Sequence, residues 1–188
     1  MLSFTVVHTL SACLLAANAD ADLLGWGQPA TLLLLHDQPA AGPAGLREIR
    51  SLEFPLRRED LPTDATGLPT LLQRLADALH YPSATAPYRA TLAAISGRIR
   101  ACAPDARLLA WAACYDDIPT LGGPARRIDA VDIDGRAYQL THLRGEDHPL
   151  LLVDDTPDPG TPGTRPGLAA LLAATAQDTR PTTCGGTA

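Results

Sequence analysis

The spacing of apolar residues predicts three helices in the first two thirds of the chain. Over residues 6–24 the apolar positions recur at alternating steps of three and four, which places them on one helical face: Val7, Leu10, Leu14, Ala17, Ala21 and Leu24. A second stripe precedes Pro82, where that helix must stop: Leu68, Leu71, Leu72, Leu75 and Leu79. A third helix begins at Pro87, ends before Pro104 and has these residues on its inner face: Leu92, Ile95, Ile99 and Cys102.

Two shorter patterns between the first and second helices indicate strands. The run "ATLLLLHD" is bounded by Pro29 and Pro39 and predicts a buried strand. In "IRSLEFPLRRED" the apolar residues Leu52 and Phe54 alternate with polar ones, which is typical of a half-buried strand. Pro55 lacks an N–H to donate, so this second strand is expected at an edge of the sheet.

Residues 107–154 have the pattern of a four-strand antiparallel meander. "RLLAWAACYDDI" is apolar enough for a central strand, and Asp134-Gly135 lies between two alternating runs, a strong hairpin signal. The connections are too short for parallel crossovers, so successive strands are antiparallel. A two-residue turn would place Val131 opposite Tyr138, with Tyr138 and His142 on the apolar face. "HPLLLVDD" predicts a buried fourth strand.

These elements predict one α+β domain over residues 1–155. Its core is a mainly antiparallel sheet, containing the C-terminal four-strand meander at 107–154, with helices covering one face. A Pro/Gly-rich segment at 156–167 is expected to be a mobile linker. A short helix at 168–176 and a disordered tail at 177–188 would follow.

Composition excludes several functions. The net charge of −6 and a pI near 5.2 argue against binding to nucleic acid or to an anionic membrane. All 15 cationic side chains are arginine. Without lysine the chain has no Walker A loop, no kinase-type phosphate contact and no Schiff-base chemistry. The same bias towards arginine, alanine, glycine and proline is typical of a GC-rich, actinobacteria-like bacterial genome.

The cysteines and the N-terminus favour a cytoplasmic protein. No two cysteines have C-x-x-C spacing, and Cys13, Cys102 and Cys114 lie in apolar segments, where we expect small core residues. A secretory signal is the alternative for the first segment, but Arg47 is the first basic side chain, so a positive n-region is missing. We expect no run long enough to cross a bilayer.

The meander brings acids and histidines to one edge of the sheet. The strand ends expected at this edge carry Asp116, Asp117, His142, Glu146, Asp147 and His148. The second acidic pair, Asp154 and Asp155, falls at the opposite edge. Imidazole and carboxylate are ligands for Zn²⁺, Mn²⁺ or Fe²⁺, so Asp116, Asp117, His142 and His148 are candidate ligands of a divalent metal ion. For general acid–base catalysis the candidates are His142, His148 and Asp117.

A plainer interpretation is that these are solvated strand ends, because acids commonly mark the exit of an apolar strand into water. The chain has no complete catalytic constellation and no strong metal spacing. The sequence therefore favours a non-enzymatic regulatory or accessory domain that binds a protein partner, needs no cofactor, and uses the edge strands of the meander. The alternatives are a metal-dependent hydrolase or related metalloenzyme using the Asp116/His142/His148 edge, and a small-molecule-binding domain with its site between sheet and helices.

Overall fold

The computed structural model describes residues 1–40, 47–62, 64–80, 87–117, 123–158 and 163–178. The helices are α1 (Phe4–Leu24), α2 (Leu68–His80), α3 (Pro87–Cys102) and α4 (Arg165–Asp178). The strands are β1 (Thr31–Pro39), β2 (Arg47–Phe54), β3 (Arg107–Asp117), β4 (Ala125–Asp132), β5 (Ala137–Leu143) and β6 (Leu150–Asp154). The helix predicted at 168–176 lies within α4. Residues 159–162 of the expected linker and 179–188 of the expected tail lie outside the described residues.

The strands form one antiparallel sheet in the order β2-β1-β3-β4-β5-β6. The predicted α+β class and the meander from β3 to β6 are confirmed. β2 lies at one edge, as Pro55 indicated, and β6 lies at the other. Because β3 and β6 run in opposite directions, Asp154 lies level with Ala137, at the far end of the sheet from Asp116 and Asp117.

Helices cover both faces of the sheet, so the expectation of one covered face is wrong. The residues of α2, α3 and α4 pack with Leu32, Leu34 and Trp111 in one apolar cluster. α1 packs on the opposite face in a second cluster, where Leu10 and Leu14 are 1% exposed. Strand residues point alternately to the two faces, which is why a single sheet supports two separate cores.

The core face of α2 matches its sequence pattern. All five leucines of the predicted stripe are buried. The face predicted for α3 is confirmed at Leu92, but Cys102 is exposed, so its assignment to the core is wrong. The helices α2 and α4 approach closely at Gly167, where an added Cβ would lie 2.5 Å from the Cβ of Leu72.

The turn between β4 and β5 is one residue longer than predicted. The Asp132 N–H donates to the Arg136 carbonyl at 3.1 Å, and Gly135 has φ +85°. Three residues therefore form the loop, with glycine at the left-handed position. The register shifts by one, so Val131 pairs with Ala137, and the predicted pairing with Tyr138 is wrong. Val131 consequently faces the α2–α4 core, whereas Tyr138 faces α1.

α1 is anchored at its N-terminal end. The Ser3 hydroxyl caps its first turn, and the Leu2 N–H donates to the Asp134 carboxylate. Contrary to expectation, α1 is long and apolar enough to meet the length and composition of a membrane span, although core helices and signal sequences meet the same criterion. Leu24, predicted on its buried face, is 72% exposed.

Candidate functional site

The predicted acid–histidine edge exists, but its side chains are divided between the two faces of the sheet. Asp116, Arg126 and His142 lie in one row across β3, β4 and β5. This row faces α1. Asp117 is the next residue along β3 and therefore points to the other face, where its carboxylate lies 3.2 Å from the Arg127 Nε. His148 is exposed in the connection between β5 and β6.

Arg126 stands between the two candidate ligands of the row and already donates to three acceptors. Its side chain is 2% exposed and its Nε donates to the Asp116 carboxylate at 3.0 Å. Its Nη1 and Nη2 donate to the Asp22 carboxylate at 3.1 Å and to the Gly25 carbonyl at 2.7 Å. A buried cation requires such partners. The guanidinium ties the end of α1 to the sheet and would repel a metal ion beside Asp116.

Trp26 closes this cluster from outside. The Arg126 guanidinium lies 4.6 Å from the centroid of the indole ring, within the range of a cation–π contact. The second carboxylate oxygen of Asp116 accepts from the Gly27 N–H at 2.6 Å. Both neighbouring glycines have positive φ, 86° and 80°, which lets the chain turn tightly around the indole. Gly25, Trp26 and Gly27 thus form a turn that packs over the Arg126 guanidinium, which the sequence pattern did not reveal.

Both ring nitrogens of His142 are used for structure. The ring is buried, and its Nε2 lies 2.8 Å from the Glu146 carbonyl oxygen. Since a carbonyl can only accept, Nε2 carries the proton and donates. Nδ1 then accepts from the amide nitrogen of Asn18 in α1, at 3.1 Å. His142 leans inward as predicted, but it has no free lone pair to offer to a metal.

The candidate metal ligands are therefore not brought together. Within the described ranges, no group of three or more His, Cys, Asp or Glu side chains is placed to hold a metal ion. Asp116 is occupied by Arg126, Asp117 points to the other face, and His142 is held between α1 and the Glu146 carbonyl. Burial raises the pKa of the Cys114 thiol to about 11, so the neighbouring cysteine is no activated nucleophile either.

The most distinctive surface lies instead along β6, which we call the β6 edge. The sequence predicted a buried strand here, and that prediction is wrong. Leu150 is 61% exposed, Leu152 is 55% exposed and Val153 is 42% exposed. β5 pairs with one side of β6, and no described strand pairs with the other. An apolar strand with unpaired backbone groups is a template for another chain.

The opposite edge of the sheet is protected by charge. β2 has the sequence "REIRSLEF", and four of its eight residues are ionised: Arg47, Glu48, Arg50 and Glu53. Charged side chains are the usual protection of an edge strand against unwanted pairing. The "LLLV" run of β6 carries no charge before Asp154. The two edges of one sheet thus differ, and only β6 is left open to a partner by its sequence.

A groove extends the β6 edge towards α1. This concave surface of about 460 Å³ is lined by Val153 on β6 and by Leu2, Phe4 and Val7 at the start of α1. Phe4 is 85% exposed. On the face that carries Val153, the edge therefore continues into the first turn of the N-terminal helix, through a groove that is also lined by polar residues: His8, Ser11, Arg136 and Asp155.

Comparison with protein families, with curated proteins and with solved structures finds no match for this chain. The geometry of the site is therefore the sole basis for assigning a function.

Proposed function

We propose that this protein is a non-enzymatic accessory or regulatory domain that binds a partner protein by strand addition at the β6 edge. The observation that carries the proposal is the contrast between the exposed, uncharged β6 and the charged β2 at the other edge. In strand addition, an extended segment pairs its backbone with the open edge, and its alternate side chains contact the two faces. β6 offers Leu150 and Leu152 on one face and Val153 on the other.

The acidic residues at the ends of β6 indicate the charge that a partner strand should carry. Acidic residues lie at both ends of β6, with Glu146 and Asp147 before it, Asp154 as its last residue and Asp155 directly after it. A partner strand with basic residues at both ends of an apolar run would therefore complement the edge. Because the whole chain carries a net charge of −6, nucleic acid and anionic lipid remain outside the proposal.

A second copy of the chain fits less well. Antiparallel pairing of two β6 strands would bring the acidic Glu146-Asp147 end of one copy near the acidic Asp154-Asp155 end of the other. Like charges brought together at an interface disfavour association. The arrangement favours a different protein, and we place that encounter in the cytoplasm, with α1 kept as part of the domain.

The test is binding of a short peptide in which valine alternates with threonine between paired arginines. We expect saturable binding, measured by calorimetry, with amide chemical-shift changes concentrated in residues 150–154. Leu152→Lys puts a charge on the open edge and should weaken binding at least about tenfold, since it removes an apolar contact and repels the basic flanks.

The matched control is Leu52→Lys, the same substitution at a 38%-exposed leucine on the other edge strand, which should leave binding unchanged. Equal binding by the wild type and Leu152→Lys would contradict the proposal. So would equal binding of a peptide with glutamate in place of arginine, or a concentration-dependent dimer that Leu152→Lys abolishes. Circular dichroism establishes that both variants are folded.

A further inference from the structure

A second buried histidine lies beneath α3, outside the candidate site. His36 of β1 is 3% exposed and lines a small pocket of about 40 Å³ between the sheet and two helices. The helices contribute these side chains to the pocket: Ser96, Ile99 and Arg100 of α3, and Thr175 of α4. The ring of His36 therefore lies on the α2–α4 face of the sheet, opposite the face that carries His142.

The surroundings of His36 disfavour a positive charge on its ring. Its Nδ1 is buried and has no hydrogen-bond partner among the described residues. Arg50 of β2 pairs directly with His36 across the sheet, so the two side chains share a face. Burial is the main cause that lowers the pKa of the imidazole, and the positive charge of Arg50 lowers it further. His36 is therefore uncharged at neutral pH.

Two carboxylates near His36 oppose this effect without reversing it. Against burial, the Asp37 backbone and carboxylate and the Glu48 carboxylate favour the charged ring, yet its pKa stays below the ordinary value. The Asp37 carboxylate already accepts hydrogen bonds from Arg47 and Arg107. The Glu48 carboxylate lies 2.8 Å from the Arg50 Nη2. Because both carboxylates are already paired with arginine, they compensate a charge on the imidazole only in part.

The other described elements around the ring add no negative charge. β3 pairs His36 with Leu108, and α4 contributes the uncharged Thr175. α3 contributes Arg100, which is a further cation. A protonated ring would therefore have one cation near it on β2 and another on α3. The pocket has room for water but not for a larger anion that could neutralise the ring while α3 stays in place.

The half of α3 that covers His36 is weakly held. Over residues 93–102 no side chain is fully buried, and Ile95 and Ile99 are only partly covered by the core. Gly97 in this stretch lowers the helical propensity further. The first half of α3, by contrast, is anchored by Leu92, which is 1% exposed. Movement of the second half alone would therefore admit water to the imidazole while exposing little apolar surface.

We infer that His36 makes this half of α3 sensitive to acid: when the imidazole takes up a proton, residues 93–102 leave the sheet and the charged ring becomes hydrated. A histidine that is neutral in the closed state takes up its proton on opening, so acid favours the open state. The stability that neutral His36 gives to the closed state is complete above about pH 6.5, the ordinary pKa of histidine, and is lost as the pH falls below it. This device lies between β2 and α3, away from β6, and does not depend on strand addition.

The experiment compares backbone amide exchange at about pH 7.5 and about pH 5.5, expressed as protection factors so that the intrinsic effect of pH on exchange is removed. We expect the protection of residues 93–102 to fall about three- to tenfold at the lower pH, since uptake of one proton on opening gives at most about tenfold over the unit below pH 6.5. The protection of α2 should change less than about twofold. His36→Gln cannot take up a proton and should abolish the loss, whereas His148→Gln, the control at an exposed histidine, should retain it.

Arg50→Gln is a second test that leaves the ring in place. Without the cation opposite His36, the protonated ring is less unfavourable in the closed state, so the acid-induced loss of protection should be about twofold smaller than in the wild type. Arg98→Gln makes the same change in net charge at an exposed arginine on α3 that does not line the pocket, and it should leave the loss unchanged.

Three results would each overturn the inference. The first is protection of residues 93–102 in the wild type that does not change with pH. The second is an equal loss in His36→Gln and His148→Gln. The third is an equal loss throughout α2 and α3, which would show that acid unfolds the domain as a whole rather than releasing one half of a helix.

Discussion

At the scale of single residues, the charged groups buried in this protein are held by specific partners. Asp37, at the end of β1, is 3% exposed at its side chain and accepts hydrogen bonds from Arg47 and Arg107. Burial opposes the ionisation of this carboxyl, yet the hydrogen bonds outweigh it and the pKa lies below its ordinary value. Arg126 is likewise held by ion pairs, with Asp22 and with Asp116. These groups join strands and helices, which is a structural role.

His142 is another buried polar side chain held by specific partners, so we expect its replacement to lower the free energy of unfolding. His142→Ala leaves the Asn18 amide and the Glu146 carbonyl without their partner. We expect the free energy of unfolding to fall by about 1–3 kcal/mol, the cost of a buried polar group left unsatisfied. His148→Ala is the control at an exposed histidine and should change it by less than about 0.5 kcal/mol. Urea denaturation measures both.

Two outcomes would contradict the structural role of His142. The first is an equal effect of the two alanine substitutions on stability. The second is a stoichiometric zinc, manganese or iron ion in the wild-type protein that is absent from His142→Ala, as measured by elemental analysis without chelators. That second result would restore the metalloenzyme that the sequence left as an alternative.

At the scale of elements, the sequence pattern predicted those features of helices and strands that depend on residues close together in the chain. The leucine stripe of α2 is a helical period read directly from the chain, and all of it is buried. The proline after β2 correctly indicated an edge strand, because a missing N–H is a local property. The turn at residues 133–135 was predicted one residue too short, since Asp-Gly suits both a two-residue and a three-residue loop.

Non-local features could not be predicted from pattern. The run "LLLV" of β6 resembles a buried strand, and only the position of β6 at the end of the sheet leaves it exposed. The alternation of α1 indicated a buried face but gave no sign that this face covers the opposite side of the sheet. Asn18, buried on that face at 4% exposure, has its partner His142 at 124 residues' separation. A short sequence motif does not show which distant residue a side chain will contact.

The crossing of α2 and α4 should be intolerant of a single methyl group. Gly167→Ala places a Cβ 2.5 Å from that of Leu72, which is buried, so one helix must move. We expect a loss of about 1–3 kcal/mol in the free energy of unfolding, the usual cost of overpacking. Gly97→Ala in α3 is the matched control, because an added Cβ there meets nothing within 4 Å.

The control should move stability in the opposite direction. Alanine is a better helix former than glycine, so Gly97→Ala should raise the free energy of unfolding by about 0.5–1 kcal/mol. Thermal and urea denaturation of the two variants measure the difference. A stabilising effect of Gly167→Ala would show that α4 does not pack against α2 as described.

At the scale of the whole molecule, the sheet separates two hydrophobic cores that are covered by different numbers of helices. Three helices cover one face within the described chain, and α1 covers the other. The second core therefore depends on a helix that also meets the criterion for a membrane span. The contacts of Asp22 with Arg126 and of Asn18 with His142 bind α1 to the sheet by polar groups that a bilayer would not accept.

Two adjacent leucines distinguish α1 as part of the domain from α1 as a leader or membrane anchor. Leu14 is 1% exposed against the sheet, whereas its neighbour Leu15 is 40% exposed. Leu14→Ala should lower the free energy of unfolding by about 2–5 kcal/mol, the range for a buried leucine, while alanine keeps the helical propensity nearly constant. Leu15→Ala should cost less than about 1 kcal/mol, because its side chain is already partly in water.

Urea denaturation of the full chain compares the two, and intact mass establishes that residues 1–24 are present. If α1 were cleaved or embedded in lipid, its two leucines would affect the folded domain equally, and the large difference expected here would vanish.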